Sequence, residues 1–156
     1  MKLLILATDY PKPSGQVSLQ YIHTRNKAYV KNNFDVSVIS FNSQTDYTID
    51  GVKVYTKDTF ENKLRNEKYD LLISHAPNIR EHYRFLKKYI GDFENVIFFF
   101  HGHEVLKTLS VYPEPYKFVK KAGFIFTLVR EIYDIFKLKI WKNYFNKISI
   151  KKNKFK

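Results

Sequence analysis

Cysteine is absent from the 156 residues, so no disulfide framework holds the chain, which is consistent with a reducing compartment. Three phosphate- and acyl-handling signatures are absent as well. There is no Gly-x-Gly-x-x-Gly run, no Gly-Lys-Ser/Thr loop and no Gly-x-Ser-x-Gly elbow, which demotes a nicotinamide-cofactor enzyme, a P-loop nucleotidase and a serine hydrolase. Long apolar runs are missing too. The N-terminal run holds only five apolar residues before Thr8 and Asp9. The longest uncharged stretch of the last quarter, Ala122 to Val129, contains Gly123 and falls far short of the about 20 residues that a membrane-spanning helix needs. From these absences the chain is expected to be cytoplasmic.

What is present is a chain rich enough in apolar residues, 44%, to build a core, with the length of one domain. Charge is distributed unevenly. Residues 1–116 hold 15 Lys and Arg against 13 Asp and Glu, whereas residues 117–156 hold 12 against 2. The body is therefore no generic nucleic-acid-binding surface, and an anionic partner belongs with the tail.

The first forty residues set the pattern. Lys2 to Ala7 is a short apolar run of the kind found in a strand covered on both faces. Pro11-Lys12-Pro13-Ser14-Gly15 forms a loop, and a helix follows whose seam is expected at Val17, Tyr21 and Ala28, with Ile22 and Tyr29 beside it and Arg25, Lys27 and Lys31 in solvent. Asn32-Asn33 ends it. Val36 to Phe41 is the second strand of a βαβ unit. A polar loop from Asn42 to Asp50 and an Asp50-Gly51 turn lead to a strand at 52–55. Asp58 to Glu61 suggests a capping box, followed by a short helix through Phe60 and Leu64. Further strands are expected at 71–75 and 96–100, separated by a helix that Pro77-Asn78 begins and Gly91 stops. The sum is a parallel, doubly wound sheet with residues 3–7 central.

The Pro-x-Pro-Ser-Gly loop and the run Arg25-Asn26-Lys27-Ala28-Tyr29-Val30-Lys31-Asn32-Asn33-Phe34-Asp35-Val36 together resemble the opening of family-4-like glycosyltransferases of the two-domain GT-B fold. Ser14-Gly15 stands where that family has a glycine pair, and Asn33 to Val36 stands for its turn into the second strand. Phe99-Phe100-His101-Gly102-His103-Glu104 resembles the family's step after its fifth parallel strand. The resemblance covers residues 1–110. It implies a Rossmann-like amino-terminal domain, with residues 111–156 completing it as a basic, aromatic helical segment and tail. It further implies a nucleotide-sugar donor as substrate, with no cofactor and no required metal, and a glycan or lipid-linked acceptor of the bacterial cell envelope. His101 takes the place of the histidine that contacts the donor sugar, the catalytic position; Ser14, Gly15, Gly102 and Glu104 take donor- or substrate-binding places. The family's donor-side carboxylates belong to a second domain, so this chain alone is expected to be inactive, an excised, truncated or split amino-terminal half.

Other readings of the same residues stand beside these. His75 at a strand end suits a hydrogen-bonding role as well as a chemical one. His103-Glu104, one residue apart, lack the spacing of a metal site. Gly15 serves equally as a turn glycine. A non-catalytic Rossmann-like module binding a membrane or protein partner, or a fragment of a sugar-nucleotide epimerase, would share the pattern.

Val111 to Pro115 breaks the chain, and a helical pattern then takes over. Its apolar stripe is expected at Phe118, Ala122, Ile125, Val129, Ile132, Phe136, Ile140 and Tyr144, with a break near Gly123. Either this stripe packs on the sheet, or the element lies on an anionic membrane at the inner face of the cell through Lys137, Lys139, Trp141, Lys142, Tyr144 and Phe145. Lys151 to Lys156 is expected to be a solvated basic run.

Overall fold

The computed structural model describes residues 1–102, 104–107 and 117–153, the last group with side chains from 125 to 147. They form two compact units, residues 1–99 and residues 100–156.

The first unit is a six-stranded sheet in the order β3-β4-β2-β1-β5-β6. Its strands are β1 Lys2–Ala7, β2 Asp35–Ser40, β3 Tyr47–Ile49, β4 Val52–Tyr55, β5 Leu71–His75 and β6 Val96–Phe99. β1 lies in the middle. It pairs in parallel with β2, Leu3 beside Val36 and Ile5 beside Val38, and on its other edge with β5, Leu3 beside Leu71 and Ile5 beside Ile73. Five strands are parallel and β3 alone is antiparallel. This is a Rossmann-like, doubly wound, mostly parallel mixed sheet.

Burial explains the apolar runs. Successive strand side chains point to opposite faces, and in β1 both sets are buried. Leu3, Ile5 and Ala7 join Val36, Val38, Ile73 and Ile22 in one core cluster. Among the residues buried elsewhere, Phe60, Phe85 and Tyr89 form an aromatic triplet with ring centroids 4.9 to 5.5 Å apart.

Several local expectations are corrected. The segment from Asn42 to Asp50 is not all loop, because Tyr47–Ile49 forms β3 and pairs with β4. Asp50 and Gly51 both take positive φ, 49° and 78°, the two-residue turn that matches the twist of a hairpin. A side chain at Gly51 would also meet Val30 at 3.1 Å. Helix α1 spans Gln20–Lys31 and buries Ile22, His23 and Asn26. Val17 precedes it and Tyr21 is exposed, so the packed face is not the expected seam but its flank, where Ile22 and Tyr29 meet the core; Arg25 is half-buried, its guanidinium 4.5 Å from the Phe99 ring centroid. Asn33, at φ 62°, supplies the left-handed cap. Thr56, not Asp58, caps α2 (Lys57–Thr59), its hydroxyl accepting from the Thr59 N–H, and a wider turn of helix continues over Phe60–Leu64. Helix α3 spans His82–Tyr89 and buries His82, Phe85, Leu86 and Tyr89.

The second unit contains the long helix α4, Lys117–Asn153, which runs without interruption through Gly123. Of the expected stripe Tyr144 is buried and Ile140 half-buried, but the rest of the described stripe is not on the buried face. Asp134, Lys137, Trp141 and Tyr144 are buried, whereas Ile125, Val129, Ile132 and Phe136 are exposed. An ion pair makes the exchange possible: Lys137 Nζ lies 2.8 Å from Asp134 Oδ1 and donates to the Leu106 carbonyl at 3.2 Å. The indole of Trp141 stacks on Phe145 at 5.6 Å and meets Phe100 edge-on at 6.4 Å. His103, the Val111-to-Pro115 break, the Phe118 and Ala122 side chains and the last three residues of the basic run lie outside the described residues.

Candidate functional site

In an open parallel sheet, ligands are taken at the carboxyl ends of the strands, where the strand order reverses. Here the order reverses at β1, with β2 on one side and β5 on the other. Asn78 ties the loops at that point together. Its side-chain N–H donates to Thr8 Oγ1 at 2.9 Å, while its carbonyl oxygen accepts from the Arg80 and Glu81 backbone N–H groups at 3.0 and 2.7 Å. The Thr8 carbonyl in turn accepts from Asn42 N–H at 2.9 Å. Between β5 and Asn78, Ala76 holds φ 44°, a left-handed angle that costs a residue with a Cβ about 1–2 kcal/mol. Its N–H donates to the Phe99 carbonyl at 2.9 Å, which pins the strained residue in place.

Beside this junction a half-open cleft of about 220 Å³ is lined by Lys12, Pro13, Ser14, Ser43, Gln44, Thr45 and Tyr47. Two loops build it, the one after β1 and the one after β2. The first loop is closed on itself: Gly15 N–H donates to the Lys12 carbonyl at 3.0 Å and Lys12 N–H to the Gln16 carbonyl at 3.1 Å. Gly15 takes φ 89°, and a Cβ there would meet nothing within 4 Å. The glycine is thus required by backbone angle rather than by close packing. Ser43 is fixed by donating to Ser40 Oγ at 2.8 Å, and Tyr47 by donating to the Tyr10 carbonyl at 3.2 Å. One ammonium, several hydroxyls and one carboxamide around a small volume suit a polyhydroxylated group, with too little space to enclose a nucleotide.

A polar network that sequence spacing did not suggest holds the first loop against α1. Asp50 accepts from both His23 Nε2, at 3.1 Å, and Lys27, at 2.9 Å. A carboxylate can only accept, so Nε2 is the donor to Asp50; Nδ1 lies 2.9 Å from the Tyr10 hydroxyl. Asn26 donates to the same Tyr10 oxygen at 3.0 Å. Burial raises the Tyr10 phenol above its ordinary range, and Lys27, followed by His23, lowers the Asp50 carboxyl. The available signal was His23 and Asn26 beside Ile22, polar side chains one helical turn apart on a face that had to pack.

His75 belongs to the core. It is fully buried and stacks on Phe99 with ring centroids 4.9 Å apart and planes 7° from parallel.

In the second unit His101, Gly102 and Glu104 are brought into one turn. The His101 N–H donates to Glu104 Oε2 at 2.8 Å, and Val105 and Leu106 N–H both donate to the Gly102 carbonyl. Gly102 holds φ 112°. Glu104 thus fastens the turn that carries His101, whose residue is exposed. Of the residues expected at a membrane, Lys139 and Lys142 are exposed and Phe145 is half-buried, while Lys137, Trp141 and Tyr144 are buried as described above. Among the described residues, no group of three or more histidine, aspartate or glutamate side chains could hold a metal ion.

Comparison with protein-family models, with curated proteins and with solved structures gives no match to this chain.

Proposed function

We propose that this chain is the acceptor-side, amino-terminal domain of a nucleotide-sugar-dependent glycosyltransferase that builds a cell-envelope polysaccharide or glycolipid. The observation that carries the reading is the hydroxyl-rich cleft of about 220 Å³ beside Ser14 at the carboxyl ends of β1 and β2. That is the edge of a Rossmann-like sheet where ligands collect, and the cleft is of a size for one sugar unit. Ser14 and its neighbours would hydrogen-bond the acceptor, and the Gly15 turn would keep their loop in register. His101 would meet the donor sugar, held for that role by the Glu104 and Gly102 turn. The diphosphate clamp would come from a second Rossmann-like domain.

Calorimetry with common nucleotide sugars separates the acceptor-side assignment from a donor-side one. The chain by itself is expected to bind them no more tightly than the millimolar range and to transfer no sugar, because one wall of a cleft neither clamps nor desolvates a diphosphate. Micromolar binding would contradict the assignment.

A further inference from the structure

We propose that α4 carries an interfacial membrane anchor at residues 125–136, which seats obliquely on a bilayer rich in anionic lipid. This inference goes beyond the transferase reading and stands without it. Ile125, Leu128, Val129, Ile132, Ile135 and Phe136 are each between 49% and 78% exposed. At about 100° per residue they fall within a sector of about 120°, on the side of the helix opposite Asp134 and Trp141. Six large apolar side chains gathered on three turns exceed the scattered exposure that any surface carries.

The same sector changes character farther along. Its next members are Lys139, Asn143, Asn146 and Lys147, with Lys142 at the edge, all exposed. The face is thus apolar for about 17 Å and then cationic for about 12 Å at 1.5 Å per residue. A helix with charges flanking its apolar face along the whole length lies flat in the interface. Here the two characters follow one another along the axis, so the first segment enters the acyl boundary while the lysines stay among the phosphates. No described helix is long and apolar enough to cross a membrane.

Charge selects the occupant. Residues 117–156 hold 12 basic residues against 2 acidic ones, so a second copy laid against this face would be repelled, whereas anionic lipid attracts it. Lys139 and Lys142 remain in the contact; Lys137, Trp141 and Tyr144, buried on the other side, leave it.

Flotation of the full chain with vesicles tests this. Phosphatidylglycerol–phosphatidylcholine vesicles are expected to carry it at least about tenfold better than phosphatidylcholine alone, and 1 M salt to erase most of the difference. Lys139→Gln, Lys142→Gln and Lys147→Gln should each weaken partitioning about fivefold. The Ile132→Asp/Phe136→Asp pair should abolish flotation with an unchanged circular dichroism spectrum, since both side chains are exposed. A second readout does not depend on a damaging substitution: acyl-brominated lipid should quench Phe136→Trp more than the native Trp141. No flotation, equal flotation on both vesicles, flotation retained by the aspartate pair, or no preferential quenching overturns the proposal. So does a concentration-dependent dimer that the aspartate pair dissolves, which would make the face a contact between copies.

Discussion

Acidification from pH 7 to pH 4 is expected to destabilise the sheet unit by about 3 kcal/mol through His82 alone. The imidazole is fully buried, with the Phe41 ring centroid 4.8 Å away. Desolvation is the main cause that lowers its pKa to about 4, and the nearby His75 adds to it. The backbone carbonyls of Leu6 and His75 act in the opposite direction, although neither makes a hydrogen bond of ordinary geometry to the ring. The sign follows from proton counting. Between pH 6.5 and pH 4 the unfolded chain binds a proton at this histidine and the folded chain does not, so stability falls as pH falls through that window. The carboxyls of Asp50 and Glu61 are lowered by their own partners. Their contributions are lost only as pH falls through those lowered values. Urea denaturation at pH 7, 5.5 and 4 measures the slope. His82→Phe, which keeps a ring against Phe41, should flatten it; an unchanged slope would mean that another group carries the proton.

The second large effect belongs to α4. Asp134→Ala removes the carboxylate 2.8 Å from a buried ammonium, a change that typically costs 3–5 kcal/mol because the charge is left in a poorly solvating site. The double substitution Asp134→Ala/Lys137→Met should recover most of that loss, since it removes both charges and keeps an unbranched side chain of similar length beside Trp141. Thermal denaturation of the single and double variants measures the coupling. If Asp134→Ala costs less than about 1 kcal/mol, the pair behaves as an exposed one and the described face of α4 is wrong.

The fold was legible where burial is symmetric. β1, β2 and β5 are covered on both faces, so β1 is an unbroken apolar run after Lys2 and the buried stretches of the other two are apolar except for small serines and the terminal His75. β3 was not legible, because its alternation of half-buried Tyr47, exposed Thr48 and half-buried Ile49 is only three residues long within a polar stretch. The packed faces of both principal helices were misjudged for one reason. Apolar periodicity does not mark the inside here: in α1 the inside carries His23 and Asn26, made acceptable by Tyr10 and Asp50. In α4 it carries Asp134 and Lys137, made acceptable by each other and by Arg130 and the Leu106 carbonyl. In α1 the partners are distant in sequence and leave no local signature; in α4 the pair is local, but charges three residues apart read equally as a solvated face. The candidate site was half legible. Prolines and glycine mark the loop whose Lys12–Ser14 stretch is one wall of the cleft, while the Ser43–Thr45 wall is only a polar stretch until the sheet sets it opposite.

The acceptor-side assignment is most directly tested by amide chemical-shift mapping of the full chain titrated with a panel of cell-envelope oligosaccharides. Shifts are expected at Ser14, Gly15, Gln44, Thr45 and Tyr47 that saturate with at least one glycan and vanish when Ser14→Trp fills the cleft. Shifts confined to the amino ends of the strands, near Asp35, Asp70 and Asn95, or no saturable shift with any glycan, would contradict it.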